Sequence, residues 1–166
     1  MENNIDKTIL FPEIVEQFTE VIERANKLIF FVCDIDLQKE MIKNLKDYCL
    51  YIKSFKKQAK DYNNEEKANQ FFYMQCIINS YISTLSIWIS LKESTPQSAW
   101  NNLINAQEYL SYAERALNGK VDLSYIKKHL TNIEDVIFRG FPLYNSLGII
   151  KKRRCLLYMR FCDRKL

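Results

Sequence analysis

Glycine and proline are scarce, with three of each in 166 residues. A many-stranded β fold needs frequent turns built from those residues, so their scarcity argues against one. Neither GxGxxG nor GxxxxGK[ST] occurs, and three glycines could hardly build a phosphate cradle. Histidine is scarcer still, with His129 alone. A multi-histidine metal site is thereby excluded, and a histidine-based nucleophilic triad has one imidazole to draw on. The paired Glu-x-x-His signature of di-iron bundles is missing as well. Five cysteines (Cys33, Cys49, Cys76, Cys155, Cys162) form no CxxC pair. Three of them sit inside helix-like patterns, where a free thiol acts as a small apolar group. The first ten residues, MENNIDKTIL, show no basic region followed by an apolar core, so the expected setting is reducing and cytoplasmic.

What is present is apolar and helical in period. Apolar residues make up 48% and charged residues 27%, an ordinary globular balance that excludes wholesale disorder. The run FFYMQCIINSYISTLSIWISL, residues 71–91, holds no charge and is long enough to cross a bilayer. Its polar residues point elsewhere. Gln75, Asn79, Ser83, Ser86 and Ser90 recur at helical steps and draw one polar, mostly small stripe. Phe72, Ile78, Ile82, Leu85 and Ile89 lie off it and need covering. The expectation is a buried central helix of a soluble bundle, with no membrane span.

The remaining segments supply the cover. From Pro12 a helix presents Ile14, Val15, Phe18, Val21, Ile22, Ala25, Leu28 and Ile29 on one face. Glu13, Glu16, Glu20 and Glu23 fall largely on the other. Asp34-Ile35-Asp36 interrupts it, with Asp36 expected to cap a second helix reaching about residue 60. That helix carries Lys39, Lys43, Lys46, Lys53, Lys56, Lys57 and Lys60, a solvated basic face. Asp61-Tyr62-Asn63-Asn64 reads as the turn into the third helix, which starts near Glu65-Glu66. Thr95 and Pro96 mark the start of a fourth, edged by Ala99, Ala106, Ala113 and Ala116 and ending at Asn118-Gly119. Asp122 is expected to cap a fifth helix that stops before Gly140. The fold class is therefore all-α, a single-domain bundle of about five helices over residues 1–148. The third and fourth helices should pack antiparallel at the centre, with the alanine edge against the serine stripe.

Residues 149–166 form a basic, aromatic C-terminal segment without clear period. Its seven basic residues against one acid give it +6, so the rest of the chain is −2. Lys151, Lys152, Arg153, Arg154, Tyr158, Arg160 and Arg164 combine phosphate-binding charge with a ring able to stack, which suits a nucleic acid or an acidic partner. Cys155 and Cys162 lie among these cations and would supply half of a four-ligand zinc site, so no metal or other cofactor is expected. The Arg-x4–6-His pairing of helical ribonucleases is absent, because Arg115 lies fourteen residues before His129. Glu65, Glu66, Glu93, Glu108, Glu114, Glu134 and Asp135 are scattered, and Glu134 suits a bond to the loop that follows it.

Trp88-Ile89-Ser90-Leu91-Lys92, Ala99-Trp100-x-x-Leu103 with Ala106-Gln107, Ile133-Glu134, Phe138 and Ser146-x-Gly148 together resemble a family of uncharacterised bacterial proteins. In that family a helical region precedes a small zinc-knuckle-like Cys/His element. The resemblance implies a helical fold and a bacterial source. Cys155 and the sequence from Tyr158 to Cys162 match the ends of the element, whereas its intervening cysteines and histidine are missing, and Arg139-Gly140 replaces its prolines. The functional expectation is a non-enzymatic helical interaction or adaptor protein that binds a protein partner or itself. The alternatives are nucleic-acid binding through the basic segment and an enzyme built on the scattered carboxylates. A buried polar seam at Gln75, Asn79, Ser83 and Ser86 is the remaining candidate ligand site.

Overall fold

A computed structural model of the chain describes residues 10–31, 34–93, 95–116 and 123–140. These form five helices: α1 (Leu10–Phe31), α2 (Ile35–Asp61), α3 (Glu65–Lys92), α4 (Pro96–Ala116) and α5 (Ser124–Gly140). There is no strand among the described residues. The class is all-α, and the helices fall where hydrophobic period and capping signals put them.

The boundaries show why. Pro12 lies in the first turn of α1, where a missing N–H costs no intrahelical bond. Asp34, with extended backbone, is the N-cap of α2, and its Oδ1 accepts from the Asp36 and Leu37 amides at 2.8 and 3.2 Å. This corrects the expectation that Asp36 caps. Ile35 is already helical, so the cap falls before it, and Asp36 instead sets its charge in the first turn. At the far end of α2, Asn63 takes φ 53° and Asn64 N–H reaches back to Ala59 O at 2.8 Å, while Asn63 N–H bonds Lys60 O at 2.9 Å. This is a Schellman ending with asparagine in the left-handed position. Asn64 then opens α3, its Oδ1 accepting from Lys67 N–H at 3.1 Å. One short segment closes one helix and starts the next.

The α3–α4 turn is equally tight. Thr95 donates both its N–H and its hydroxyl to Ser90 O, at 2.9 and 3.1 Å, and Ala99 N–H returns to Thr95 O at 3.1 Å. Asn118, Gly119 and Asp122, expected to end α4 and cap α5, lie outside the described residues. α5 runs to Gly140 rather than stopping before it.

α3 is the axis of the bundle and packs against each of the other four helices. Half of its 28 residues are buried, distributed around its circumference, as expected of a helix surrounded by protein rather than water. Its largest interface is with α4, and the pairings Ser80–Ala106 and Ser90–Ser98 show the two running antiparallel. Leu45 and Ile52 of α2, Ile78, Leu85 and Ile87 of α3, Leu103 and Leu110 of α4, and Leu130 and Ile133 of α5 are fully buried in one continuous core. α1 adds Ile14 and Ala25. No helix among the described residues is long and apolar enough to cross a membrane.

Small side chains set the close α3–α4 approach. Ala99, Ala106 and Ala113 have no exposed surface, as their edge position required. The residues they meet differ partly from expectation. Ser80 Oγ donates to Ala106 O at 3.2 Å, and the buried Thr84 lies one turn beyond Ser80 on α3. Of the serine stripe, Ser90 joins this interface, through Ser98 Oγ at 3.0 Å. The amide end of the stripe turns to α2.

Candidate functional site

Gln75 is buried and Asn79 half-buried, and both amides lie close enough to the Cys49 thiol of α2 to favour its thiolate. Residues 49 and 79 meet because α2 and α3 form an antiparallel hairpin across the Asn63–Asn64 turn. The same register brings Phe55 and Phe71 rings to 5.8 Å and Lys56 Nζ to 5.1 Å from the Phe72 ring. Lys53 and Lys56 carry positive charge towards Cys49, and Cys76 lies beside it on α3. A cluster of two thiols and two amides therefore occupies the α2–α3 seam, with the ammonium groups of half-buried Lys56 and exposed Lys53 at its edge.

The chemistry of this cluster follows from burial. Desolvation pushes the Cys49 thiol above its ordinary range, although the two amides and both lysines favour the thiolate. For Cys76, burial drives the thiol to about 11, with Lys56 opposing and Cys49 reinforcing. Burial also lowers Lys56, helped by Lys60 and Lys53. At neutral pH the seam holds protonated thiols, which are poor nucleophiles and poor metal ligands. Gln75 and Asn79 thus face the neighbouring helix α2, the direction in which a buried amide finds polar groups.

The hydroxyls farther along are engaged in the same way. Ser86 donates to Ile82 O at 2.8 Å, Ser90 to Ser86 O at 2.8 Å and Thr84 to Ser80 O at 2.8 Å, each one turn back. Ser83 is buried between them. Of the residues off the stripe, Ile78 and Leu85 are fully buried, Ile82 and Ile89 half-buried, and Phe72 remains 37% exposed.

The carboxylates are dispersed. Glu93 pairs with Lys39 at 3.5 Å, Glu114 with Lys127, and Glu108 accepts the Tyr112 hydroxyl at 2.6 Å. Glu65, Glu66 and Asp135 are exposed, and Glu134 is buried on α5. No group of three His, Cys, Asp or Glu side chains is placed to hold a metal among the described residues. His129 lies against the Trp88 ring, centroids 6.5 Å apart, and burial lowers its pKa. The basic-segment candidates Lys151, Lys152, Arg153, Arg154, Tyr158, Arg160 and Arg164, together with Cys155 and Cys162, lie outside the described residues, as does the loop at 141–148.

Sequence reasoning missed Cys49 as the partner of the two amides. The usable signal was its place on α2, between the core residues Leu45 and Ile52 and the lysine-bearing side. No family model, curated protein or solved structure matches this chain.

Proposed function

We propose that this protein is a non-enzymatic helical interaction module that binds a protein partner or a second copy through the outer face of α2. One observation carries the reading. Among the described residues the large apolar side chains left exposed are Leu37, Leu50, Tyr51, Tyr62 and Phe72, and all lie on α2, at its C-cap, or on α3 beneath Lys56. Leu50 is 65% and Tyr62 66% exposed. Apolar side chains gathered on one charged helix supply the contact area that a protein interface buries.

A photo-crosslinking amino acid placed at position 51 of the full chain tests this in the native cell. Crosslinks to a discrete protein that Leu50→Asp removes, with helicity unchanged by circular dichroism, support it. Crosslinks indifferent to Leu50→Asp, or none at all, reject it.

A second reading, nucleic-acid binding, is favoured by the exposed lysines of α2 together with the basic residues 151–154. It predicts binding to a single-stranded oligonucleotide that weakens steeply with salt; no binding at low salt removes it.

A further inference from the structure

Lys39, Lys43, Lys46, Leu50, Lys53, Lys57 and Lys60 recur at steps of four and three along α2, and all seven are exposed. They form one slowly winding stripe about 31 Å long at the rise of an α-helix. Lysines three and four apart on a helix repel each other. Asp36, Glu40 and Asp47 lie on the adjoining face, yet among the described residues the only ion pair on the stripe is Lys39–Glu93 at 3.5 Å. Among the described residues no carboxylate lies within ion-pair distance of Lys43, Lys46, Lys53, Lys57 or Lys60.

We infer that this stripe is a docking track for an acidic amphipathic helix of a partner protein, with Leu50 as the apolar anchor at its middle. This rests on the interaction-module reading and names the chemistry of the partner. Two observations select a helix over other polyanions. Alternating steps of three and four average 3.5 residues, the repeat at which a second helix laid alongside keeps its own side chains in register. Carboxylates at that repeat on the partner meet each lysine in turn. Leu50 then decides between a peptide and a phosphate chain. A run of phosphates gains nothing from an isobutyl group at the centre of a basic stripe, whereas a partner helix buries it against an apolar residue of its own. Phe72, 37% exposed under Lys56 Nζ, adds a second apolar contact beside the C-terminal half of the stripe.

The chain carries an acidic stripe of its own on α1, at Glu16, Glu20 and Glu23. Its acidic residues Glu13, Glu16, Glu20 and Glu23 span ten positions of α1, about half the length of the lysine stripe. That favours a different protein over a second copy.

Fluorescence anisotropy with the full-length protein tests the inference. The probe is a synthetic peptide of about 21 residues, long enough to match the stripe, with glutamates at alternating three- and four-residue steps and one central leucine. Its control is an isomer of the same composition whose glutamates are spread around the helix, and the competitor is a single-stranded oligonucleotide of similar charge. Near physiological salt the stripe peptide should bind at least about tenfold tighter than its isomer, and Leu50→Ala should weaken it by about tenfold. Lys46→Glu with Lys53→Glu should abolish binding, and Lys46→Gln with Lys53→Gln serves if the charge reversals alter helicity. Equal binding of the isomer, indifference to Leu50→Ala, or stronger binding of the oligonucleotide overturns the inference. So does self-association, seen by sedimentation, that Glu16→Lys and Glu20→Lys disrupt. Crosslinking from position 51 is independent of these arms. A protein crosslinked there without preference for the acidic probe would leave the module reading standing and this one refuted.

Discussion

The Tyr81 hydroxyl donates to Asn26 Oδ1 at 2.6 Å, joining α3 to α1 across 55 positions of chain. Tyr81 is buried, and Tyr48 makes the comparable link from α2, its hydroxyl reaching Ile14 O at 3.2 Å. Two phenols thus pin α1, whose interfaces are otherwise smaller than those of α2 or α4 with α3. Tyr81→Phe should lower the unfolding free energy by about 1 kcal/mol, the net worth of an intramolecular hydrogen bond. A double-mutant cycle with Asn26→Ala in urea should return a coupling of similar size. Zero coupling would mean the bond contributes nothing to holding α1.

The start of α2 offers a second test. Asp34→Ala should cost about 1 kcal/mol because two amides lose their acceptor. Asp36→Ala removes only a favourable charge in the first turn and should cost roughly a third as much. Thermal denaturation of the two variants side by side decides, and a larger loss for Asp36→Ala would return the cap to that residue.

Much of this architecture was legible because its signals are local. Asn63-Asn64 and Thr95-Pro96 mark their helix ends through chemistry confined to a few neighbouring residues, and the charge-free run from Phe71 declared a helix covered on all sides. The facing of α3 was harder to read. A helix buried around its circumference has no solvated face to fix its rotation, and Ser80 with Thr84 forms a small-residue line as good as Ser83 with Ser86. The hydroxyls that reach α4 are Ser80, which lies off the expected stripe, and Ser90, its last member. The amides were recognisable as residues needing partners, but Cys49 is long-range information carried by the α2–α3 register. Asp36 misled because both aspartates around Ile35 can cap, and only backbone geometry separates them.

The α3–α4 contact should be intolerant of size. Ala106 is fully buried with Ser80 Oγ on its carbonyl, so Ala106→Leu forces extra carbons into a filled interface. The expected loss is about 1–3 kcal/mol in urea titrations. Ala116→Leu, on a half-buried position of the same helix, should change stability far less. Equal effects at the two sites would show that the alanine edge does not set the approach.

Thiol reactivity separates the two seam cysteines. Cys76 is buried with its thiol pushed up to about 11, whereas Cys49 is half-buried and the upward push of burial is opposed there by two amides and two lysines. Iodoacetamide at pH 8 should modify Cys49 slowly and Cys76 only after denaturation, as read by mass spectrometry of the separate peptides. Asn79→Ala should slow Cys49 further, since it removes an amide that favours the thiolate. Faster labelling in that variant would instead show that Asn79 acts as a cover over the sulfur.

His129 links stability to acidity. It is the one histidine in the chain, and burial beside Trp88 depresses its pKa from 6.5. The unfolded chain therefore binds this proton more readily than the folded one, and stability must rise with pH wherever the two differ. The contribution is fully present above the unfolded value of 6.5. It declines as pH falls through that value towards the lower folded pKa, and below the folded pKa the loss is complete and constant. Urea midpoints measured across pH 5.5–7.5 should therefore drop on acidification, and His129→Gln should flatten the profile while leaving carboxylate-driven loss at lower pH intact. An unchanged slope in His129→Gln would place the acid sensitivity on other groups and leave the imidazole accommodated equally well in both charge states.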